Sequence, residues 1–132
     1  MNNNFLMDDR CFACGRKNEI GLRLNIAENK TGVSAPIKLS SLFQGYHKVI
    51  HGGIVSTILD EMAVWAAYKK GYKAVTAELN MRIRKPMLAE NEYVATGRVV
   101  NIKYKMVLAQ AEIKDLKNEI IACADVKLIK ID

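Results

Sequence analysis

Between Gly52 and Lys70 apolar residues recur at intervals of three and four. Ile54, Val55, Ile58, Leu59, Met62, Trp65 and Ala66 fall on one broad face, the spacing of a long amphipathic α-helix. Lys69 and Lys70 suit the negative end of its dipole, and Gly71 is a good stop. After the helix the period changes from 3.6 to 2. Ala77, Leu79, Met81 and Ile83 alternate with Glu78, Asn80, Arg82 and Arg84 until Pro86 ends the run. Further strands are expected near Glu92–Ile102 and Lys105–Lys114. A turn at Asp115-Leu116-Lys117-Asn118 then leads to a last strand near Glu119–Ile131. Ahead of the helix, Leu22, Leu24 and Ile26 predict a strand that turns at Glu28-Asn29-Lys30 into a second around Gly32–Leu39. Residues 1–20 have no period and read as a leader or surface loop, which leaves 21–132 as one domain. Two strands, one long helix and four antiparallel strands predict an α+β architecture, in which a sheet curls around the helix and buries its broad face.

The same helix holds the densest candidate chemistry. It opens on His51-Gly52-Gly53, and an adjacent acidic pair, Asp60 and Glu61, follows about two and a half turns later. The amides at a helix start have no intrahelical acceptor and favour negative charge. Amide donors plus a carboxylate base are what hydrolytic acyl transfer requires. A helical projection separates the two acids. Ser56, Asp60, Ala63 and Ala67 form a narrow stripe of small residues nearly opposite the broad face, fit for close packing of another backbone. Glu61 lies about 100° away, near Thr57, Val64 and Tyr68, on a flank expected to stay wet. Asp60 is therefore the chemical candidate. At 1.5 Å per residue the amides stand more than ~10 Å from it along the axis, so one helix cannot bring both to one carbonyl, and the two halves are expected to meet across subunits.

Composition narrows the setting. The chain has 132 residues, half of them apolar and 26% charged, as in an ordinary single soluble domain. No apolar run approaches the ~20 residues of a membrane helix, and the polar, acidic start is unlike a signal peptide; a cytoplasmic location and no membrane partner are expected. Three cysteines, an odd number, argue against a secreted disulfide framework. Cys11 and Cys14 form a C-x-x-C, but Cys123, His47 and His51 are scattered along the chain, so no metal site is expected. The net charge of +6 could draw nucleic acid, anionic lipid or a phosphorylated small molecule. With no arginine-rich arm or helix-turn-helix pattern, a nucleic-acid partner is not expected.

Three blocks carry a resemblance: CFACGRKNEIGLRL (residues 11–24), FQGYHKVIHGGIVSTILDEM (43–62) and AVTAELNMRIRKPM (74–87). Together they resemble the PaaI-like branch of the hotdog-fold acyl-CoA thioesterases, the middle block being the most specific. The resemblance implies a highly curved antiparallel sheet wrapped around the long helix, in a homodimer or homotetramer with active sites at the subunit interface. It implies hydrolysis of an acyl-CoA thioester to a carboxylate and free coenzyme A, without a cofactor. Gly53 and Gly52 would supply the backbone N–H that polarises the carbonyl, and Asp60 of the neighbouring subunit would act as general base or as nucleophile. His51 would orient the thioester or loop, and Thr76 would help place the attacking water. Gln44 is a candidate substrate contact, displaced by one from the family position that Gly45 fills here. Arg82, Arg84 and Lys85 are candidates for the anionic end of coenzyme A. A hotdog hydratase or dehydratase, which would use a His base, and a non-catalytic acyl-CoA-binding protein are the alternatives.

Overall fold

The computed structural model describes residues 7–131. Its elements are β1 (Ala27–Glu28), β2 (Val33–Ile37), a short 3-10 turn (Ser41–Phe43), α1 (Gly52–Lys69), β3 (Ala74–Ile83), β4 (Tyr93–Lys103), β5 (Met106–Asp115) and β6 (Ile120–Lys130). The strands form one six-stranded sheet in the order β1-β2-β4-β5-β6-β3, every neighbouring pair antiparallel. The helix is the connection that carries the chain from the β2 side of the sheet to β3 at the opposite edge. The expected order of two strands, one helix and four antiparallel strands is the observed one.

The first expected strand is not formed as such. Only Ala27 and Glu28 pair with β2, because Arg23 takes a left-handed backbone conformation (φ 52°) that breaks the extended run. The Leu22 and Leu24 amides bond instead to the Phe12 and Ala13 carbonyls. Residues 1–6 of the expected leader lie outside the described residues. From residue 7 the segment is irregular but packed, with Ala13, Leu22 and Leu24 in the hydrophobic core.

The helix sits in a trough of small side chains. Gly97, Ala111 and Ala124 stand side by side across β4, β5 and β6, and Ala95, Ala109 and Ala122 are buried around them. A Cβ added at Gly97 would fall 2.4 Å from the Met62 carbonyl oxygen, so the helix backbone rests directly on the sheet. Val55, Ile58, Leu59 and Met62 point into the core, and Ala63 and Ala67 are buried as well. This corrects the helical projection. The Ala63 and Ala67 end of the small-residue stripe is covered within the chain, because a curved sheet encloses more of the helix than one flat layer would, while Ser56 and Asp60 stay half-exposed.

The trough yields a stability prediction. Gly97→Ala should destabilise the fold by about 3 kcal/mol, the upper end of overpacking, since the clash is with helix backbone and not a flexible side chain. A urea titration should show a lowered midpoint with an unchanged slope; an unchanged midpoint would contradict the close approach.

Candidate active site

The helix start is built by a cap. His51 has extended dihedrals (φ −56°, ψ 136°), and its Nδ1 accepts from the Gly53 N–H at 2.9 Å, the role an N-cap side chain plays. The Ile54 and Val55 amides bond to the His51 carbonyl, and the His51 amide bonds to the Phe43 carbonyl. Gly52 is thus the first helical residue, with no intrahelical acceptor for its N–H, and no described group takes it. Around this end lies an open groove of 610 Å³ lined by His51, Gly52, Ile83, Arg84 and Lys85 among others. A Cβ at Gly52 would meet nothing nearer than the Ile83 Cδ1, at 3.9 Å, so the backbone at this position is uncrowded. Lys85 is paired with Glu119 at 2.8 Å, and this carboxylate raises its pKa. Arg84 has no ion pair among the described residues.

The carboxylate lies in a different groove. Asp60 is half-buried, and its Oδ1 accepts from the Thr76 hydroxyl at 2.5 Å. Both line a second groove of 400 Å³ with Val64, Tyr68, Tyr72 and Met7. What aims Thr76 at Asp60 is a bulge. Thr76 stands opposite buried Leu128 and Glu78 opposite exposed Lys127, with a register shift between them. In a regular strand Thr76 and Glu78 would share a face. The extra residue, Ala77, turns Thr76 inward while leaving Glu78 outside to pair with Lys127 at 3.7 Å, a common use of bulges beside functional sites.

The remaining candidates divide. Gln44 braces the loop before the helix, its Oε1 accepting from the Lys48 amide at 3.0 Å, and it lines a shallow depression with His51 and Gly53. Arg82, exposed on β3 opposite Cys123, lines neither groove. Glu61 is not on a wet flank. It is half-buried beneath the N-terminal segment, and its Oε2 accepts from Trp65 Nε1 at 3.0 Å and from Cys11 Sγ at 3.5 Å. Burial pushes the Cys14 thiol pKa well up, and the Glu61 carboxylate and Cys11 add to the shift. This contact spans 50 residues of sequence, and no local pattern signals it.

A single chain therefore keeps the two halves of the motif apart. Eight residues separate Gly52 from Asp60, ~12 Å along the helix, and each lines its own groove. The halves are nevertheless aligned, because β3 runs antiparallel to α1. Thr76, near its start, meets Asp60, and Ile83, at its end, faces Gly52. No helix of the described residues is long and apolar enough to cross a membrane.

Comparison with known proteins agrees with this architecture. A thioesterase superfamily protein of solved structure superposes with a TM-score of 0.88 at 17% identity, over 92% of this chain; the chain spans 61% of that protein's length. The PaaI protein of Escherichia coli, from the phenylacetic acid degradation operon, gives 0.76 at 19% identity over 83% of this chain and 84% of that one. A hypothetical thioesterase from Streptococcus pneumoniae TIGR4, solved with coenzyme A, gives 0.76 at 16% identity over 82% of this chain and 85% of that one. At these identities the likeness is one of fold, the hotdog fold. Among curated proteins there is no match. Residues 47–122, more than half of the chain and including the helix and both grooves' central residues, match the thioesterase superfamily, and the chain belongs to that superfamily.

Proposed function

We propose that the protein is an acyl-CoA thioesterase whose active sites form between two copies of the chain. The observation that carries this reading is the placement of the two half-sites at opposite ends of β3, the terminal strand of the sheet order. A free edge strand is a template for pairing. Two β3 strands pairing antiparallel about a twofold axis near Leu79 and Asn80 would set Thr76 of one copy opposite Ile83 of the other. The Asp60 groove of one copy would then close on the Gly52 groove of its mate, twice per dimer.

In that composite site the Gly52 N–H, at the positive end of the helix dipole, would receive the thioester carbonyl oxygen. Gly53 is the weaker candidate, because its N–H is already given to His51. Asp60 from the other copy would take the proton of a water as its oxygen attacks the carbonyl carbon. The tetrahedral intermediate would collapse with cleavage of the C–S bond, the proton held by Asp60 passing to the leaving sulfur; the coenzyme A thiol and a carboxylic acid are released, and the acid loses its proton to solvent. Thr76, its proton engaged by Asp60, keeps lone pairs with which to hold that water. Arg84 sits at the groove rim, where the anionic end of coenzyme A would need a cation. The coenzyme A bound to the Streptococcus pneumoniae relative supports this ligand class.

Two sets of variants test the reading by thiol release across short, medium, long and aromatic acyl-CoA esters. Asp60→Asn should lower kcat by ~10²–10⁴, the range for a general base. Thr76→Val should lower it by ~10–100-fold, the value of one hydrogen bond to a charged group. Wild-type turnover in Asp60→Asn would refute the assignment.

The second test removes one amide proton. Gly52 is the first helical residue, where proline is favoured, and the ψ of His51, 136°, lies in the range of a residue before proline. Gly52→Pro should therefore fold with near wild-type stability while kcat falls by ~10²–10³, the effect of losing one oxyanion donor. A stable Gly52→Pro protein with unimpaired kcat would exclude this amide.

A further inference from the structure

Cys11, Cys14 and Glu61 each offer a ligand atom, and these three atoms lie within 4.8 Å of one another. All three residues are half-buried, where the C-x-x-C turn packs over the middle of the helix. We propose that this cluster is a binding site for a thiolate-preferring divalent cation, of which Zn²⁺ is the type, held by two sulfurs and one carboxylate oxygen.

One separation in the cluster matches a tetrahedral site, and the other two lie within 4.8 Å. Bonds of ~2.3 Å to sulfur and ~2.1 Å to oxygen, at tetrahedral angles, put neighbouring sulfur and oxygen ligands ~3.6 Å apart. Cys11 Sγ stands 3.5 Å from Glu61 Oε2. Two thiolates with a carboxylate select zinc-like ions over Ca²⁺ or Mg²⁺, which take oxygen ligands. Binding would release the two thiol protons to solvent and form two M–S bonds and one M–O bond, with no change in oxidation state. A fourth position would be left for water or another small donor.

Two features outside the ligand set favour the site. Trp65, one turn beyond Glu61, donates from Nε1 to Glu61 Oε2 at 3.0 Å, which fixes the carboxylate as an outer partner does in metal centres. Gly15 lets the chain turn directly after Cys14. Its amide bonds to the Cys11 carbonyl at 2.8 Å, and a Cβ there would fall 2.2 Å from the Asp9 carbonyl oxygen. The ion would tie the N-terminal segment to α1 one residue from Asp60, on a segment whose Met7 lines the Asp60 groove. The site is independent of the thioesterase reading, since it uses neither Asp60 nor the Gly52 amide.

The test is a Co²⁺ titration of the reduced full chain, followed by its thiolate-to-Co²⁺ charge-transfer band and its visible d–d bands, with Zn²⁺ as competitor. One Co²⁺ per chain is expected, displaced by Zn²⁺, with a raised melting temperature in either metal. Cys123→Ser should leave the titration unchanged. Cys11→Ser and Cys14→Ser should abolish the charge-transfer stoichiometry. Trp65→Phe should retain one site with affinity lowered by ~10–100-fold, the usual effect of an outer partner. Glu61→Gln, which keeps both thiols, should weaken binding by more than that. A reduced, folded wild-type chain with no thiolate–Co²⁺ band in excess Co²⁺ would overturn the proposal. So would a band that survives Cys14→Ser, or full affinity in Glu61→Gln; these two variants keep the test decisive if Cys11→Ser does not fold.

Discussion

An α-helix fixes the separation of its own residues, and that rigidity governs the chemistry available here. Gly52 and Asp60 stand ~12 Å apart on α1 whatever the rest of the chain does, yet a carbonyl under attack needs its amide donor and its base each within ~3 Å. The fold leaves the two groups in separate grooves. Because β3 runs antiparallel to the helix, the sheet edge has a carboxylate-bearing end and an amide-bearing end. In the proposed dimer, twofold symmetry turns one long separation into two short ones.

That geometry depends on how the helix is seated. Gly97, Ala111 and Ala124 let the backbone at Met62 sit on the sheet, which brings Asp60 within reach of a hydroxyl on the edge strand. The bulge at Ala77 then selects which hydroxyl it is. Packing, register and chemistry are thus linked through three small adjustments: a glycine, one extra strand residue and a histidine cap that leaves Gly52 unbonded. The cap also discriminates between the two glycines of the motif, because satisfying Gly53 within the helix start frees only its neighbour.

The helix and the four long strands were legible because each buries one face, so burial writes a 3.6 or 2.0 period into the chain. What escaped periodicity was whatever depends on contacts between distant segments. Thr76 could be reached only through family resemblance, since the alternation of Glu78, Asn80 and Arg82 would place it outside, and a one-residue bulge leaves no hydrophobic trace. Glu61 looked wet because a projection shows a helix without its cover, which here comes from residues 50 positions away. The expected strand over Leu22–Ile26 had the right alternation, and burial of Leu22 and Leu24 agrees with it, but a left-handed Arg23 sends their amides to Phe12 and Ala13 instead. Among the basic candidates, alternation alone could not separate Arg84, at the groove, from Arg82, which lines neither.

The composite site is tested most directly by complementation. Asp60→Asn chains and Gly52→Pro chains, each inactive alone, are coexpressed and the mixed oligomers assayed for thiol release. If each site draws Asp60 from one copy and Gly52 from the other, a mixed dimer has one intact site, and random pairing gives about a quarter of wild-type activity. If both groups served within one chain, no mixed pairing would contain an intact site. Activity no greater than that of the separate variants, in preparations shown to contain mixed dimers, would contradict the account.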